Sequence, residues 1–323
     1  MKIIIDYRNT YKDQHALRTF TDEFWRDFTS LHPQHQFIFL VSGKKELLEA
    51  GENLGLRRLR KLPLQWLDHA RRKKAVMAMG AARLIVPHEK TFAFDIYSTD
   101  KPPALPAGKQ LLFERGQPGG IAPAHAEVIT ELPWTEAESI KTQYTGGRSF
   151  FLFTGDISDT HRLIELLKAF SGFKKWQQSN MQLVIAGSVT DWTDTLEEKL
   201  QTYRYREDVI LLKNISTDLT ARLVAASYAM LYPAAAAVFP LAMLWAVQSH
   251  KAIIATGNAV NRGLTGAALW VNEDETVEGF SKAMILLYKD EARLQALVQQ
   301  AKNEAALFNR QQLLAAVWQH IEQ

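Results

Sequence analysis

The chain has no cysteine among its 323 residues. Disulfide bonds and thiolate metal sites are therefore excluded, which fits a protein of a reducing compartment. The formal net charge of +3 is too small to indicate a protein dedicated to binding nucleic acid. No hydrophobic run approaches the roughly 20 residues that a membrane-spanning helix needs, and the apolar part of the N-terminal MKIIIDYR is too short for a signal peptide. We therefore expect a cytoplasmic protein.

Acidic residues are missing from one long stretch. No Asp or Glu occurs between Leu219 and Trp270, although the whole chain has 35 acidic residues. Within this stretch, YPAAAAVFPLAMLWAVQSHKAIIAT (residues 232–256) predicts a strand end, a small-residue loop, a helix beginning near Pro240 and a second strand. A loop that leads into a helix beside a parallel sheet commonly binds phosphate, because free N–H groups and the helix dipole favour anions. The stretch has this backbone pattern without the usual polar side chains.

The first half of the chain alternates between strand and helix patterns. Apolar runs predict strands at Lys2–Asp6 and residues 37–41, and phenylalanines at helical spacing predict a helix over residues 16–31. This βαβ pattern favours a doubly wound α/β sheet. Further predictions are a helix at 70–80, a strand at 83–87, a brief strand at 127–130 and a helix at 136–144.

The second half repeats this alternation more clearly. Strands are predicted at 150–154, 182–186, 209–212, 227–232, 252–255 and 269–271. Helices are predicted at 163–170, 195–204, 217–227, 276–289 and 291–323, the last one broken near 308–309. The glycine pair 146–147 is the best candidate for a linker. We therefore expect two domains, residues 1–147 and 148–323, each with its own sheet.

Eight basic residues lie in two clusters on either side of Trp66. They are Arg57, Arg58, Arg60 and Lys61, followed by Arg71, Arg72, Lys73 and Lys74. Such charge runs usually form a solvated helical face. The alternative is a patch that contacts anionic lipid headgroups or an anionic acceptor, which would place the protein at the inner face of the membrane.

Several segments resemble one enzyme family. FFLFTGDISDTHRLIELLKAFSGFKKWQQSNMQLVIAG (residues 150–187) resembles the start of the C-terminal domain in GT-B retaining glycosyltransferases of the large family 4, the "glycosyl transferases group 1" type. DVILLKNISTDLTARLVAASYAMLYP (208–233) is similar to the segment that leads into the donor-site loop of that family. Residues 1–40 resemble its acceptor domain, and residues 267–301 are similar to its closing region. The resemblance is weak between residues 46 and 147.

The resemblance implies a fold and a reaction. It implies a GT-B architecture, with two Rossmann-like doubly wound domains facing each other across a cleft. A nucleotide-sugar would bind to the C-terminal domain, and a glycan or lipid-linked acceptor to the N-terminal one. The implied reaction is sugar transfer with retention of configuration in cell-envelope polysaccharide assembly, without a metal or another cofactor. The family uses cations on the donor diphosphate, which stabilise the charge of the leaving group, and a pair of glutamates.

The departures from the family fall on these donor-site residues. The glutamates of the family are separated by seven residues, and the matching positions here are Ala237 and Trp245. Pro240 occupies a glycine position and removes a backbone donor. Asp156 stands near a position that is commonly arginine or another polar residue, and His161 stands at a lysine position.

Three further positions differ from the family pattern. Arg262 matches a third acidic position, and Ala16 and Arg18 match glycines of the first loop in the N-terminal domain. Losing one oxyanion-type donor typically slows an enzyme about 100–1,000-fold. Since several donor-site groups are missing together, we expect impaired or absent transfer.

Two hypotheses follow from this pattern. The first is an active glycosyltransferase with a rebuilt donor site. Its candidate donor- and phosphate-binding residues are Gly155, His161, Arg162, Lys213, His250 and Arg262. The second is a non-catalytic module that binds a glycan or partners an active glycosyltransferase. In that case, Trp245 and the alanine run are apolar packing.

Overall fold

The computed structural model describes residues 1–8, 15–41, 54–58, 65–87, 94–98, 109–111, 128–235 and 239–322. These residues form the strands β1 (Lys2–Asp6), β2 (Gln36–Val41), β3 (Leu54–Arg58), β4 (Arg83–Pro87), β5 (Phe94–Ser98), β6 (Lys109–Leu111), β7 (Phe150–Asp156), β8 (Gln182–Ser188), β9 (Val209–Lys213), β10 (Ala229–Tyr232), β11 (Ile253–Thr256) and β12 (Ala268–Val271). The helices are α1 (His15–Leu31), α2 (Gln65–Ala78), α3 (Trp134–Thr145), α4 (Leu163–Gln177), α5 (Thr193–Gln201), α6 (Thr217–Ala226), α7 (Leu241–Gln248), α8 (Ala259–Leu264), α9 (Thr276–Lys289), α10 (Glu291–Ala305) and α11 (Arg310–Glu322).

The chain divides into two compact units. One unit is Met1–Ile121 together with Arg310–Gln323, and the other is Ala122–Asn309. This division differs from the predicted boundary after residue 147, since α3 belongs to the second unit and α11 to the first.

The sheet of the first unit has the order β3-β2-β1-β4-β5-β6. The strands β1 to β4 pair in parallel, whereas β5 and β6 add antiparallel strands at one edge. Helix α1 supplies much of the core, because Phe20, Phe24 and Phe28 recur at helical spacing and are all buried. Phe28 meets Phe37 of β2 edge-to-face at 6.0 Å. The predicted helix over residues 16–31 is confirmed.

Helix α11 belongs to the first unit through specific contacts. The ring of Trp318 stacks on His32 with 3.8 Å between the centroids. Arg310 Nη2 lies 2.8 Å from Asp27 Oδ2, and Arg83 Nε donates to the Ile321 carbonyl at 2.7 Å. The chain therefore returns to the first unit after the break that the sequence predicts near residues 308–309.

The sheet of the second unit has the order β12-β11-β10-β7-β8-β9, and all its strands are parallel. Its inner strands β7, β8, β10 and β11 are largely buried on both faces and read as apolar runs for that reason. Phe151, Leu231 and Ile254 from the strands pack in one core with Phe170 of α4 and Phe280 of α9. Both sheets thus have the doubly wound order that the βα alternation predicts.

Four secondary-structure elements were not predicted, and one predicted strand is wrong. Residues 128–130 of the strand predicted at 127–130 have no strand conformation. The missed elements are β3, β5, β6 and the short helix α8. Helix α9 has the predicted bounds, because its amphipathic pattern is long and ends at a charged residue. Among the described helices, none is long and apolar enough to cross a membrane.

Candidate functional site

The carboxyl edge of the second sheet is the place where an open parallel sheet binds ligands. The strand order reverses between β7 and β10, which are neighbours in this sheet. The segments that follow β7, β9, β10 and β11 carry most of the predicted donor-site residues. We call this edge the donor edge.

Two glycines let β7 and β8 approach closely at the donor edge. Gly155 pairs with Gly187 across the strands, and a Cβ on Gly187 would lie 1.7 Å from the Gly155 carbonyl oxygen. Gly155 has a φ of +145°, which residues with a side chain rarely adopt. Both positions therefore require glycine for the backbone geometry, whatever Gly155 binds.

His161 is buried and uncharged at neutral pH. Its side chain lies edge-on to Phe153 at 5.2 Å between centroids, and Nδ1 is 2.9 Å from the Ser158 hydroxyl. Burial lowers the pKa of His161 to about 4, and the Asp156 backbone hydrogen bond and the Asp159 charge offset this only in part. The resemblance assigns His161 to the position of the family lysine, but this imidazole supplies no positive charge at neutral pH.

Arg162 begins α4 and is hydrogen-bonded within the second unit. Its Nη1 donates to the Glu273 carbonyl at 2.8 Å and to Thr276 Oγ1 at 3.1 Å, and its Nη2 lies 3.3 Å from Glu273 Oε1. Its φ of +48° is unusual for a residue with a side chain. The guanidinium therefore joins the start of α4 to the segment before α9.

Lys213 ends β9 and forms an exposed ion pair. Its Nζ lies 2.6 Å from Glu197 Oε1, and the hydrogen bond and charge of Glu197 raise its pKa. Exposed ion pairs contribute little stability, so this lysine can change partners at low cost.

The segment between β10 and α7 is the stretch without acidic residues. Tyr232 is buried, and its hydroxyl donates to the Phe239 carbonyl at 3.3 Å. The backbone N–H of Ala235 donates to the Thr160 carbonyl at 3.0 Å. Trp245, at the second glutamate position, is 5% exposed. Ala237, at the first, lies outside the described residues.

Arg262 lies on α8 beside the end of β11. Its Nε donates to the Gly257 carbonyl at 2.9 Å, and its guanidinium lies 4.9 Å from the centroid of the Trp270 ring. These contacts are a hydrogen bond and a cation–π interaction within the second unit. The Arg262 side chain is therefore engaged beside the donor edge.

Two buried polar atoms near Arg262 were not identified from the sequence. Thr256 Oγ1 and Asn261 Oδ1 have no hydrogen-bond partner within the described residues, although both side chains are buried. Buried polar atoms of this kind commonly bind an ordered water. Nothing in the sequence distinguishes these residues from others of their type.

His250 lies at the opposite edge of the sheet. It follows the last turn of α7 and precedes β11, so it stands at the amino ends of the strands. Burial first, then the charges of Lys302 and Lys251, lower its pKa, whereas Glu131 raises it. The structure thus places His250 away from Gly155, His161 and Arg162.

The carboxyl end of β1 in the first unit carries a buried ion cluster. Arg8 contacts both carboxylate oxygens of Asp6 at 2.7 and 2.9 Å, and Arg72 Nη1 lies 3.0 Å from Asp6 Oδ2. Burial alone would raise the pKa of Asp6, but the hydrogen bonds and charges of Arg8 and Arg72 outweigh it and lower the pKa. The sequence signal that could have identified this site is a charged pair directly after a buried strand.

The remaining predicted positions of the first unit are only partly described. Arg18 lies 3.8 Å from Asp22, and the side chain of Ala16 is outside the described residues. Within the basic clusters, Arg57, Arg71 and Lys74 are exposed. The side chains of Arg58, Arg60, Lys61, Trp66 and Lys73 lie outside the described residues. In the described part of the chain, no three His, Asp or Glu side chains are grouped to hold a metal ion.

The family comparison matches the second unit. The family model described as "Glycosyl transferases group 1" matches residues 135–304, just over half of the chain. No curated protein matches the chain significantly.

Solved structures resemble the chain over its whole length at low identity. WaaG, a glycosyltransferase involved in lipopolysaccharide biosynthesis, has a TM-score of 0.70 at 12% identity, with 99% of each chain covered. HepE from Anabaena, in complex with UDP and glucose, has a TM-score of 0.72 at 11% identity, covering 100% of this chain and 99% of the other. Sucrose-phosphate synthase from Thermosynechococcus elongatus has a TM-score of 0.71 at 12% identity, covering 99% and 98%.

These structural neighbours support the fold, and the family model supports membership. Both sheets have the Rossmann-like order, and the solved glycosyltransferases that resemble the chain cover almost all of it. The protein has the GT-B fold and belongs to the glycosyl transferases group 1 family.

Proposed function

We propose that the protein works in cell-envelope polysaccharide assembly as a glycosyltransferase-family module whose own donor site no longer sustains sugar transfer. The nominal reaction is retaining transfer of a sugar from a nucleotide-sugar to a glycan or lipid-linked acceptor. One observation carries the proposal. The predicted cations beside the donor edge are engaged within the protein: Arg162 with Glu273, Lys213 with Glu197 and Arg262 with Gly257.

The chemistry of the leaving group makes this observation important. A nucleoside diphosphate gains negative charge as its bond to the sugar breaks, and transfer requires groups that stabilise that charge. At the family lysine position, His161 is neutral, because its pKa is about 4. Asp156 is buried at the end of β7 and adds negative charge near the same place. The electrostatics of the donor edge thus oppose departure of a diphosphate.

The apolar filling of the site supports the same proposal. A carboxylate at the position of Trp245 would accept hydrogen bonds from ribose hydroxyls, and an indole ring cannot do so. Trp245 is buried, as a packing residue is, rather than exposed to receive a ligand. The helix it occupies, α7, is buried along its whole length.

A non-catalytic module needs a partner or a glycan to act on. In the first unit, Asp6, Arg8 and Arg72 place a carboxylate and guanidinium groups at the carboxyl end of β1. Such groups suit hydrogen bonds to sugar hydroxyls and to anionic substituents. We propose a glycan as the ligand of this cluster and an active glycosyltransferase as a protein partner. The exposed Arg57, Arg71 and Lys74 would add contact with anionic membrane at the cytoplasmic face.

The second candidate is an active glycosyltransferase with a rebuilt donor site. The close approach of Gly155 and Gly187 keeps the backbone of the donor edge free of side chains at those two positions. The ion pairs of Arg162 and Lys213 are partly exposed, so a diphosphate could replace their carboxylate partners. No metal is required in this proposal.

Calorimetry of nucleotide binding separates the two candidates. HepE is solved with UDP and glucose, so UDP and UDP-glucose are the first ligands to titrate, followed by GDP and other nucleotide-sugars. Micromolar binding of a nucleotide-sugar, with release of free nucleotide in the presence of acceptor, would overturn the non-catalytic proposal. Absence of binding at millimolar ligand supports it.

Sedimentation with vesicles tests the membrane contact. The full chain is mixed with phosphatidylglycerol vesicles at low and high salt, and phosphatidylcholine vesicles serve as the control. Binding that salt weakens supports the basic-cluster contact. Absent or salt-insensitive binding would contradict it.

A further inference from the structure

The amino edge of the second sheet carries basic side chains from three segments of the chain. Lys141 lies on α3, His250 and Lys251 lie between α7 and β11, and Lys302 lies on α10. We call these four residues the amino-edge cluster. They stand at the edge opposite to Gly155 and the other donor-edge residues.

The members of the cluster lie within electrostatic reach of one another. Lys141 lowers the pKa of Lys251, and both Lys302 and Lys251 lower the pKa of His250. Such interactions between partly exposed charges weaken beyond about 10 Å at moderate salt. Helix α10 also packs on α7, and Lys302 contacts Glu131 in the segment that leads into α3, so the three segments meet at the amino edge.

The two neighbouring carboxylates are already associated with other members. Lys141 Nζ lies 2.8 Å from Glu138 Oε1, and Lys302 Nζ lies 4.0 Å from Glu131 Oε1. Both acids belong to the segment that leads into and forms α3. They leave Lys251 as the cation without a carboxylate partner among the described residues.

The backbone also provides no acceptor for the Lys251 ammonium among the described residues. Two carbonyls near the end of α7 accept from backbone groups instead, since Ala246 accepts from the Lys251 backbone N–H at 2.8 Å and Val247 accepts from the His250 N–H at 3.0 Å. Lys251 is partly buried, and a buried cation without an acceptor costs free energy. Burial first, then repulsion by Lys141, lower the pKa of Lys251 to about 8.

We propose that the amino-edge cluster is an anion site in which Lys251 donates to a phosphate group, supplied by free phosphate or by a lipid headgroup. A phosphate oxygen provides the missing acceptor for Lys251, and its charge balances the positive charge of the Lys251 ammonium. The site is separate from sugar transfer, because it lies at the other edge of the sheet.

Phosphate binding at this site is coupled to protonation of Lys251. A lysine with a pKa of about 8 is about half neutral at pH 8, so binding of the anion takes up about half a proton there. The other groups that face the site are Lys141 and Glu138 from α3, Lys302 from α10, and His250 with Glu131. Among these groups, Lys141 is paired with Glu138 and Lys302 with Glu131.

The test is calorimetric titration of the full chain with inorganic phosphate at pH 8, in buffers of different ionisation enthalpy. We expect proton uptake, and we expect Lys251→Met to weaken binding about tenfold or more, as loss of a charged hydrogen bond does. Lys282→Met is the matched control, since Lys282 on α9 pairs with Glu278 at 2.6 Å away from both edges' candidate residues, and it should bind phosphate like the parent. Equal affinity of Lys251→Met and the parent would overturn the proposal.

A parallel arm identifies the source of the phosphate. If phosphatidylglycerol vesicles bind the parent but not Lys251→Met, and free phosphate does not bind the parent, the ligand of the site is a lipid headgroup. Failure of both probes to bind the parent overturns the proposal. Circular dichroism checks folding of the variant. If Lys251→Met is unfolded, Lys141→Met is used in its place. Removal of the Lys141 charge raises the pKa of Lys251, so this variant should take up less of a proton when phosphate binds.

Discussion

Acidification should destabilise the second unit through His161. Its imidazole is 4% exposed and packs between Phe153 and Tyr232, so its neutral form is the folded form. Its pKa falls from 6.5 to about 4 on folding. Because the unfolded chain binds the proton more readily, stability is complete above about pH 6.5 and is lost as the pH falls towards 4. At about 1.4 kcal/mol per unit of pKa, the total loss is about 3 kcal/mol.

The assay is urea unfolding of the parent and of His161→Phe at pH 7.5, 6, 5 and 4. Phenylalanine keeps the aromatic contacts and cannot take up a proton, although it loses the hydrogen bond to Ser158. His32, His35 and His250 also have lowered pKa values, but they are present in both proteins and cancel in the difference. We expect the free energy of unfolding of the variant, relative to the parent, to rise by about 3 kcal/mol between pH 7.5 and 4.

A constant difference between the two proteins across this pH range would refute the reasoning. It would mean that His161 titrates alike in the folded and unfolded states, so that its burial is incomplete in solution. A nuclear magnetic resonance titration of the His161 ring gives the same quantity directly. A folded-state pKa near 6.5 would restore His161 as a cation for phosphate near neutral pH.

Three further predictions concern the donor edge. In thermal unfolding, Gly187→Ala should destabilise the second unit by about 1–3 kcal/mol, because the new Cβ meets a backbone carbonyl. Gly263→Ala is the control: its new Cβ has open space around it, so it should be neutral or stabilising in the same assay. Ala237→Glu with Trp245→Glu should strengthen UDP binding in calorimetry if only the carboxylates are missing, and no gain would mean that the pocket has closed around the apolar side chains. Arg262→Ala should leave nucleotide affinity unchanged within about threefold, since the side chain is engaged by Gly257, and a larger loss would assign it to the donor.

The fold was largely predictable because periodicity reports burial. The inner strands of the second sheet are largely buried on both faces, so each appears as a short apolar run, and the amphipathic α9 was predicted with its bounds. The failures are also physical. Strands β5 and β6 lie at an antiparallel edge and are only five and three residues long. The short α8 depends on the cap that Asn258 provides for the Asn261 N–H, which is a local contact without a periodic signal.

The state of the candidate site was less predictable, because a sequence identifies ionisable groups but not their partners. Arg162 and Lys213 remain candidate cations by residue type, and only the structure pairs them with Glu273 and Glu197. The sequence assigns His161 a pKa of about 6.5, and burial changes its charge state. Likewise, the sequence presents Lys251 as an ordinary surface charge, and only the described structure shows that none of its residues accepts a hydrogen bond from the Lys251 ammonium.

The resemblance places Ala237 and Trp245 at two carboxylate positions of the family, and these two residue types would have different effects on a donor pocket. An alanine in place of a glutamate removes atoms and leaves room, so a nucleotide could still enter. A tryptophan adds volume, and the burial of Trp245 places that volume inside the protein. Close-packed interiors do not reopen without cost. Neutral His161 and buried Tyr232 are also in ring contact on the β7 side of the same edge. Under the proposed function, this packing closes the donor edge, and restoration of the carboxylates alone would then be the less effective way to recover nucleotide binding.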